Sequence, residues 1–129
     1  MNKLLIIITT AILILISGCS NNQAIYKEAD NNRFVFVKNN IGFRIELKAN
    51  PTTGYNWYMD QLDDQLFTIV ESGYNSPIEK NKVGVGGVNY WVVKPLQKGT
   101  SQIRMKYYRP WEGDKSIVKT FNLKVDVLP

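Results

Sequence analysis

The sequence predicts an all-β protein, an antiparallel β-sandwich of about seven strands that a signal peptide precedes. Apolar and polar residues alternate with a period of two in several segments after residue 30, which is typical of half-buried strands. No segment in that region has a long apolar period of 3.6 residues, and turn-forming residues separate the segments. The 129 residues suffice for one domain and hardly for two.

The strand-like segments follow one another closely along the chain. Phe43, Ile45 and Leu47 alternate with charged residues, so one face of that strand is predicted to be buried. The predicted strands are residues 34–37, 43–48, 56–59, 66–70, 88–93, 102–107 and 121–127.

The connections between these strands carry their own signals. Lys98 and Gly99 predict a hairpin turn. Residues 60–65 allow a short helical turn, and residues 73–82 are predicted to form a polar loop.

The N-terminal segment is typical of a signal peptide. Lys3 provides a positive charge, and residues 4–16 are apolar except for two threonines. That run is shorter than the roughly 20 residues that a membrane-spanning helix needs. An uncleaved N-terminal anchor helix is the alternative interpretation.

Small residues directly before Cys19 resemble a bacterial lipobox, which implies cleavage before Cys19 and lipid attachment to its sulfur. We therefore expect a signal peptide at residues 1–18, a lipidated tether at residues 19–31 and a folded domain at residues 32–129. The protein is then extracytoplasmic, anchored through Cys19 to the cell membrane or outer membrane. Several acyl chains would hold it there stably.

The composition excludes many kinds of active site. With no His and one Cys, the chain cannot build a Ser-His-Asp or Cys-His nucleophile system, a zinc site or an intrachain disulfide. We expect no metal, no cofactor and no enzymatic activity. The net charge of +5 is spread along the strands, so nucleic acid is not an expected partner.

A carboxylate enzyme, such as a glycosidase, remains an alternative with little support. Asp63 and Asp64 form one acidic cluster, and Glu112 and Asp114 form another. Neighbouring residues tend to point apart, whereas a glycosidase needs two carboxylates about 5–10 Å apart across a cleft. Exposed loop carboxylates explain both clusters more simply.

Three connections contain residues suited to binding or to an unusual backbone conformation. Pro51 restricts the backbone of the first and Gly54 permits a positive φ in it, and this connection also carries two threonine hydroxyls. The second has three glycines within residues 84–87, which allow close approach of another backbone. The third pairs an arginine with Trp111, residue types that dominate interface hot spots. Each alone could be an ordinary turn, and Trp111 could instead fold back onto the sandwich with Arg109 stacked on it.

Together the three connections resemble the signature loops of the chagasin family of cysteine peptidase inhibitors, in the family's order and near its spacing. The resemblance covers about residues 33–129. The residues that carry it, and that it implies bind the peptidase, are Asn50, Pro51, Thr52, Thr53, Gly54 and Tyr55 in the first loop, Val83, Gly84, Val85, Gly86 and Gly87 in the second, and Arg109, Pro110 and Trp111 in the third.

The resemblance implies an immunoglobulin-like β-sandwich that reversibly and tightly inhibits papain-like (clan CA) cysteine peptidases. Thr52 and Thr53 would then sit over the catalytic Cys and His of the enzyme. The glycine segment would run along the unprimed subsites, and Arg109 with Trp111 would cover the primed side. In the family a bulkier residue is frequent at the position of Val83. The resemblance therefore does not fix the specificity for the peptidase pocket that this residue would reach.

The papain-like peptidase and the membrane are thus the expected partners, and the protein is expected to be monomeric. The alternative is a non-inhibitory immunoglobulin-like surface lipoprotein for adhesion or assembly. That protein would share the fold and the anchor, but it has no need to combine the three loops.

Overall fold

The computed structural model describes residues 22–77 and 86–129, and these form two four-stranded sheets packed face to face. One sheet has the strand order β1-β3-β6-β5, and the other has the order β2-β8-β7-β4. The strands are β1 (Ile25–Tyr26), β2 (Arg33–Lys38), β3 (Phe43–Ala49), β4 (Asn56–Gln61), β5 (Phe67–Asn75), β6 (Gly87–Pro95), β7 (Gly99–Tyr108) and β8 (Lys119–Leu128). The all-β prediction is confirmed, with eight strands where about seven were predicted.

The core lies between the two sheets and follows the predicted alternation. On β3, Phe43, Ile45 and Leu47 are buried, while the charged residues between them are more exposed. Facing them are buried residues of β7 and β8, among them Ile103, Met105, Phe121, Leu123 and Val125. The domain has no disulfide, and burial of this apolar area stabilises its fold.

Strand pairing departs from a purely antiparallel arrangement at two places. β1 pairs with β3 in parallel, and β2 pairs with β8 in parallel. Both β1 and β2 lie at sheet edges. The remaining pairs are antiparallel, as predicted.

The hairpin predicted at Lys98 and Gly99 is wrong. β6 and β7 follow one another in sequence but lie in different sheets, so the connection crosses from one sheet to the other. The reason is that both edges of β6 are already occupied, one by β3 and the other by β5. Gly99, with φ of 150°, lies where the chain enters the second sheet.

Part of the segment predicted as a tether belongs to the sandwich. Ile25 and Tyr26 pair with β3, and the ring of Tyr26 packs edge-on against Phe43 with centroids 5.7 Å apart. Glu28 accepts a hydrogen bond from the backbone N–H of Lys48. Tyr26 is anchored by the core, so this part of residues 19–31 does not act as a free linker.

Two further predictions are refined by the structure. Residues 73–75, predicted to lie in a loop, are the last residues of β5 and pair with β6. The helical turn predicted within residues 60–65 is present between β4 and β5, slightly later in the chain. Phe67 N–H closes it by donating a hydrogen bond to Asp63 O at 2.9 Å. In the part of the chain that the structure describes, no helix is long and apolar enough to cross a membrane. The predicted signal peptide and Cys19 lie outside the described residues.

Candidate functional site

Two of the three connections singled out in the sequence, and the described end of the glycine segment, meet at one end of the sandwich. Strand register explains why: Ala49, at the end of β3, pairs with Gly87 at the start of β6. In the other sheet, Asn56 at the start of β4 pairs with Tyr108 at the end of β7. We call this end the loop end, with the first loop at residues 50–55 and the third loop at residues 109–118. The first loop, the third loop and Gly86 with Gly87 of the glycine segment therefore lie at the same end of the sandwich.

The first loop is a tight, internally bonded turn. Residues Pro51–Thr53 form a 3-10 turn in which Gly54 N–H donates to Pro51 O at 3.0 Å, and Gly54 adopts a φ of 82°. Thr52 Oγ1 donates to Asn50 Oδ1 at 2.6 Å, and Thr53 Oγ1 donates to Asn50 O at 2.7 Å. Both threonine side chains are exposed, yet their hydroxyl protons are used locally to hold the turn.

Aromatic packing attaches the first loop to the sandwich. Tyr55 stacks on Tyr107 with centroids 5.6 Å apart, and the Tyr107 hydroxyl accepts a hydrogen bond from Asn50 N–H at 3.1 Å. Trp57 packs against the same tyrosine and donates from Nε1 to Lys48 O at 3.0 Å. Tyr55 is thus a supporting residue of the loop more than an exposed contact.

The described part of the glycine segment is closely packed against its neighbours. A Cβ on Gly86 would lie 2.6 Å from Ala49 O, and a Cβ on Gly87 would overlap Asn75 O. Only glycine leaves room for these approaches. Val83, Gly84 and Val85 lie outside the described residues.

The third loop presents an exposed tryptophan. Trp111 follows Pro110 in a 3-10 turn and remains 72% exposed, so it does not fold back onto the sandwich. One edge of its ring lies beside Gly54, where an added Cβ would come within 2.7 Å of Cη2. Gly54 is therefore required both for its positive φ and for contact between the first and third loops.

Arg109 links the two loops. Its Nε and Nη2 donate to Thr53 O at 3.1 and 2.8 Å. Its guanidinium lies over the Tyr55 ring at 4.4 Å, and Glu112 is 3.7 Å from Nη1. The interpretation that stacked Arg109 on Trp111 is thus wrong, because the guanidinium packs on Tyr55 instead.

Ser116 is a supporting residue that the sequence did not reveal. It is buried, and its hydroxyl accepts a hydrogen bond from Arg109 N–H at 3.0 Å. The hydroxyl proton faces two carbonyl oxygens, Gly113 O at 2.7 Å and Arg109 O at 3.0 Å. Ser116 therefore closes the base of the third loop. A serine in a polar connection gives no sequence signal for such burial.

A shallow groove of about 350 Å³ separates the first loop from the start of β6. Its walls are Ala49, Asn50, Gly86 and Gly87, and Lys48 and Lys119 add positive charge at its margin. The loop end thus combines a rigid exposed ridge with a groove lined partly by backbone. This surface can bind another protein.

The two carboxylate clusters lie far apart in the fold. Asp63 lies in the turn between β4 and β5, at the end of the sandwich opposite Glu112 and Asp114. Glu112 pairs with Arg109, and Asp114 lies 3.8 Å from Lys106 Nζ. Among the described residues, no group of three or more acidic, His or Cys side chains is placed to hold a metal ion.

Comparison with known proteins gives one consistent picture. The model of the Chagasin family peptidase inhibitor I42 matches residues 37–125. Amoebiasin-2 from Entamoeba histolytica is 28% identical over 110 residues, which cover 83% of this chain and 89% of that protein. Chagasin from Trypanosoma cruzi is 36% identical over 74 residues, covering 54% of this chain and 66% of that protein. The crystal structure of the cysteine protease inhibitor EhICP2 from Entamoeba histolytica aligns with a TM-score of 0.74 and 26% identity, covering 81% of this chain and 95% of that one.

Proposed function

Because this chain belongs to the chagasin family of peptidase inhibitors, we propose that it reversibly and tightly inhibits papain-like (clan CA) cysteine peptidases. It would do so by filling the active-site cleft with its three loops. The observation that carries the proposal is the convergence of the loops at one end, where Arg109 bonds the third loop to the first. The relatives are inhibitors, and we propose that this chain likewise is not an enzyme.

The first loop would cover the catalytic Cys and His of the peptidase without being cleaved. Cleavage requires a carbonyl carbon held in line with the thiolate. The backbone of Pro51–Thr53 is instead curled into a 3-10 turn, and Thr53 O is already bound by Arg109. Because the turn is held by hydrogen bonds within it, it resists the extended conformation that an attack would need.

The other two loops would extend the contact on either side. Gly86 is exposed at the groove, which Gly87 also lines, and its backbone would bond to the unprimed subsites, with Val83, Gly84 and Val85 continuing this contact. Trp111 offers most of its ring for packing on the primed side. Rigid loops lose little conformational freedom on association, which favours tight binding.

An inhibition panel tests the proposal directly. The folded domain, expressed without its first 21 residues, is assayed against papain and cathepsin-type enzymes, with Trp111→Ala as the test variant. Trp111→Ala is expected to weaken inhibition by about 30-fold, corresponding to about 2 kcal/mol for a hot-spot tryptophan. Its urea midpoint should not change, since the ring is exposed.

Phe36→Ala is the matched control, because Phe36 is also an exposed aromatic residue, 59% accessible, but lies on β2. It should leave the inhibition constant unchanged. Absence of inhibition of every enzyme at micromolar protein would contradict the proposal and favour the non-inhibitory surface lipoprotein.

We further propose that Cys19 carries a lipid anchor and that the protein is monomeric and extracytoplasmic. The support for the anchor and the location is the sequence of residues 1–19, with its apolar run and lipobox-like end. The mass of the protein extracted from membranes tests this, since a lipidated product is heavier than the cleaved chain by its acyl groups. Cys19→Ser should abolish both the added mass and the membrane association.

A further inference from the structure

The end of the sandwich opposite the loops has a set of exposed apolar residues. Ile41 is 56% exposed, Leu96 44% and Leu128 40%. Backbone hydrogen bonds hold their segments together: Asn39 N–H donates to Leu128 O at 2.8 Å, and Asn40 N–H donates to Pro95 O at 3.3 Å. We call Ile41, Leu96 and Leu128 the tether pole.

The described chain begins at this same end. A Cβ on Gly42 would lie 3.3 Å from Gln23 Nε2, so Gln23 sits beside the residue that precedes β3. Arg44 N–H donates to Ala24 O at 2.8 Å, and β1 then runs parallel to β3 toward the loop end. The chain therefore enters the sandwich at the tether pole and not at the loop end.

The length of the connection to Cys19 decides which end can face the membrane. Gln23 is four residues after Cys19, and four extended residues span at most about 14 Å. β7, by contrast, runs from the tether pole to the loop end over ten residues, or about 30 Å. A lipid on Cys19 would hold the tether pole close to the bilayer, and the tether is too short to let the loop end replace it there.

We propose that the tether pole is a membrane-docking surface. Ile41, Leu96 and Leu128 rest in the headgroup and acyl boundary of the bilayer that holds the lipid of Cys19, and the three peptidase-binding loops point away from it. This inference rests on the proposed anchor, and it deepens the proposed function by fixing the direction from which a peptidase approaches.

The charges around the tether pole are compatible with this position. Lys38, Lys94 and Lys98 are exposed nearby and can reach phosphate groups with their long side chains. Asp63 and Asp64 lie on the Leu96 side, where the turn between β4 and β5 is bonded to Leu96 N–H through Leu66 O. Apolar contact and the short tether, more than charge, therefore hold the tether pole at the bilayer.

The test uses the full-length lipoprotein, extracted from the membrane of an expressing bacterium and reconstituted into phosphatidylcholine vesicles. Because Cys19 is the one cysteine and its sulfur would carry the lipid, a single introduced cysteine can be labelled specifically. Ile41→Cys places a fluorophore at the tether pole. Lys115→Cys places one on the exposed third loop as the matched control.

A quencher attached to the lipid should remove most of the fluorescence at position 41 and little at position 115, while aqueous iodide should show the reverse. Equal lipid quenching at both positions, or none at position 41, would overturn the proposal, and so would purified protein that carries no lipid. Protection of position 41 from iodide without lipid quenching would indicate a contact with a second copy and would also overturn it. Inhibition of papain in detergent by the protein labelled at position 41, which lies away from the loops, reports on the proposed function separately.

Discussion

Replacing Arg109 by methionine should loosen the loop end while leaving the sandwich intact. Methionine keeps part of the side chain's length but cannot donate to Thr53 O or present a cation to the Tyr55 ring. Both interactions are made within the free protein. If these interactions position the loops, their loss should lower the stability of the free protein and also weaken its binding to the peptidase.

The structure sets the size of the effect. A hydrogen bond from a charged donor contributes about 1.5–3 kcal/mol, and an exposed cation–π contact about 0.5–1 kcal/mol. The two Arg109 donors share one acceptor, and the side chain is 33% exposed, so solvent screening reduces the sum. We expect Arg109→Met to lose about 1–2 kcal/mol of stability and to weaken inhibition by about 5- to 30-fold.

The assays are urea unfolding, amide exchange at Gly54 and the inhibition constant for papain. Arg104→Met is the matched control, since Arg104 is an exposed arginine in the middle of β7, away from the loops. Arg109→Met should lower the urea midpoint, speed exchange at Gly54 and weaken inhibition, whereas Arg104→Met should do none of these. Weaker inhibition with an unchanged free protein would refute the positioning role and indicate direct contact with the peptidase. If Arg109→Met changed none of these measurements, both the positioning role and the direct contact would be refuted.

Three further predictions follow from individual contacts. Ser116→Ala removes the hydroxyl that accepts from Arg109 N–H and should cost about 1–3 kcal/mol in urea unfolding, because this part-buried N–H loses its partner; an unchanged midpoint would contradict this. In Gly86→Ala, the added Cβ would lie 2.6 Å from Ala49 O, a backbone atom that cannot move away easily. The free energy of unfolding and the free energy of peptidase binding should therefore each weaken by about 1–3 kcal/mol. Full inhibition of papain by this variant would show that the close contact between Gly86 and Ala49 is not needed. Burial raises the pKa of Tyr26 above 10.0, so the folded state retains the proton longer than the unfolded state. The stability that this shift contributes is complete below pH 10.0 and is lost as pH rises through the pKa of the folded state. At alkaline pH the urea midpoint should therefore fall less steeply with pH in Tyr26→Phe than in the parent protein. An equally steep fall in both proteins would contradict this prediction.

Local sequence patterns were sufficient where a feature depends on neighbouring residues. The alternation of Phe43, Ile45 and Leu47 identified both a strand and its buried face, because side chains on a strand point to opposite sides in turn. Pro51 and Gly54 predicted a stiff turn because each restricts or permits particular backbone angles. The three loops could be singled out as a site for the same reason.

Sheet membership was decided at long range. Lys98 and Gly99 favour a turn whichever strand comes next, and the turn residues do not reveal that β3 and β5 already fill both edges of β6. Likewise, Ile25 and Tyr26 lie in a polar segment, and only the unpaired edge of β3 makes them a strand. Pairing of this kind depends on which edges remain free after the core has formed.

The sequence by itself thus determined that the chain is a sandwich whose first loop is stiffened by Pro51, and it left open whether Trp111 of the third loop is exposed or folded back. Only the tertiary structure decided how those loops are held. Arg109 and Thr53 are 56 residues apart, and Ser116 is buried beneath a loop whose sequence is polar. Hydrogen bonds between distant segments form only after strand register has brought their ends together, so no local pattern records them.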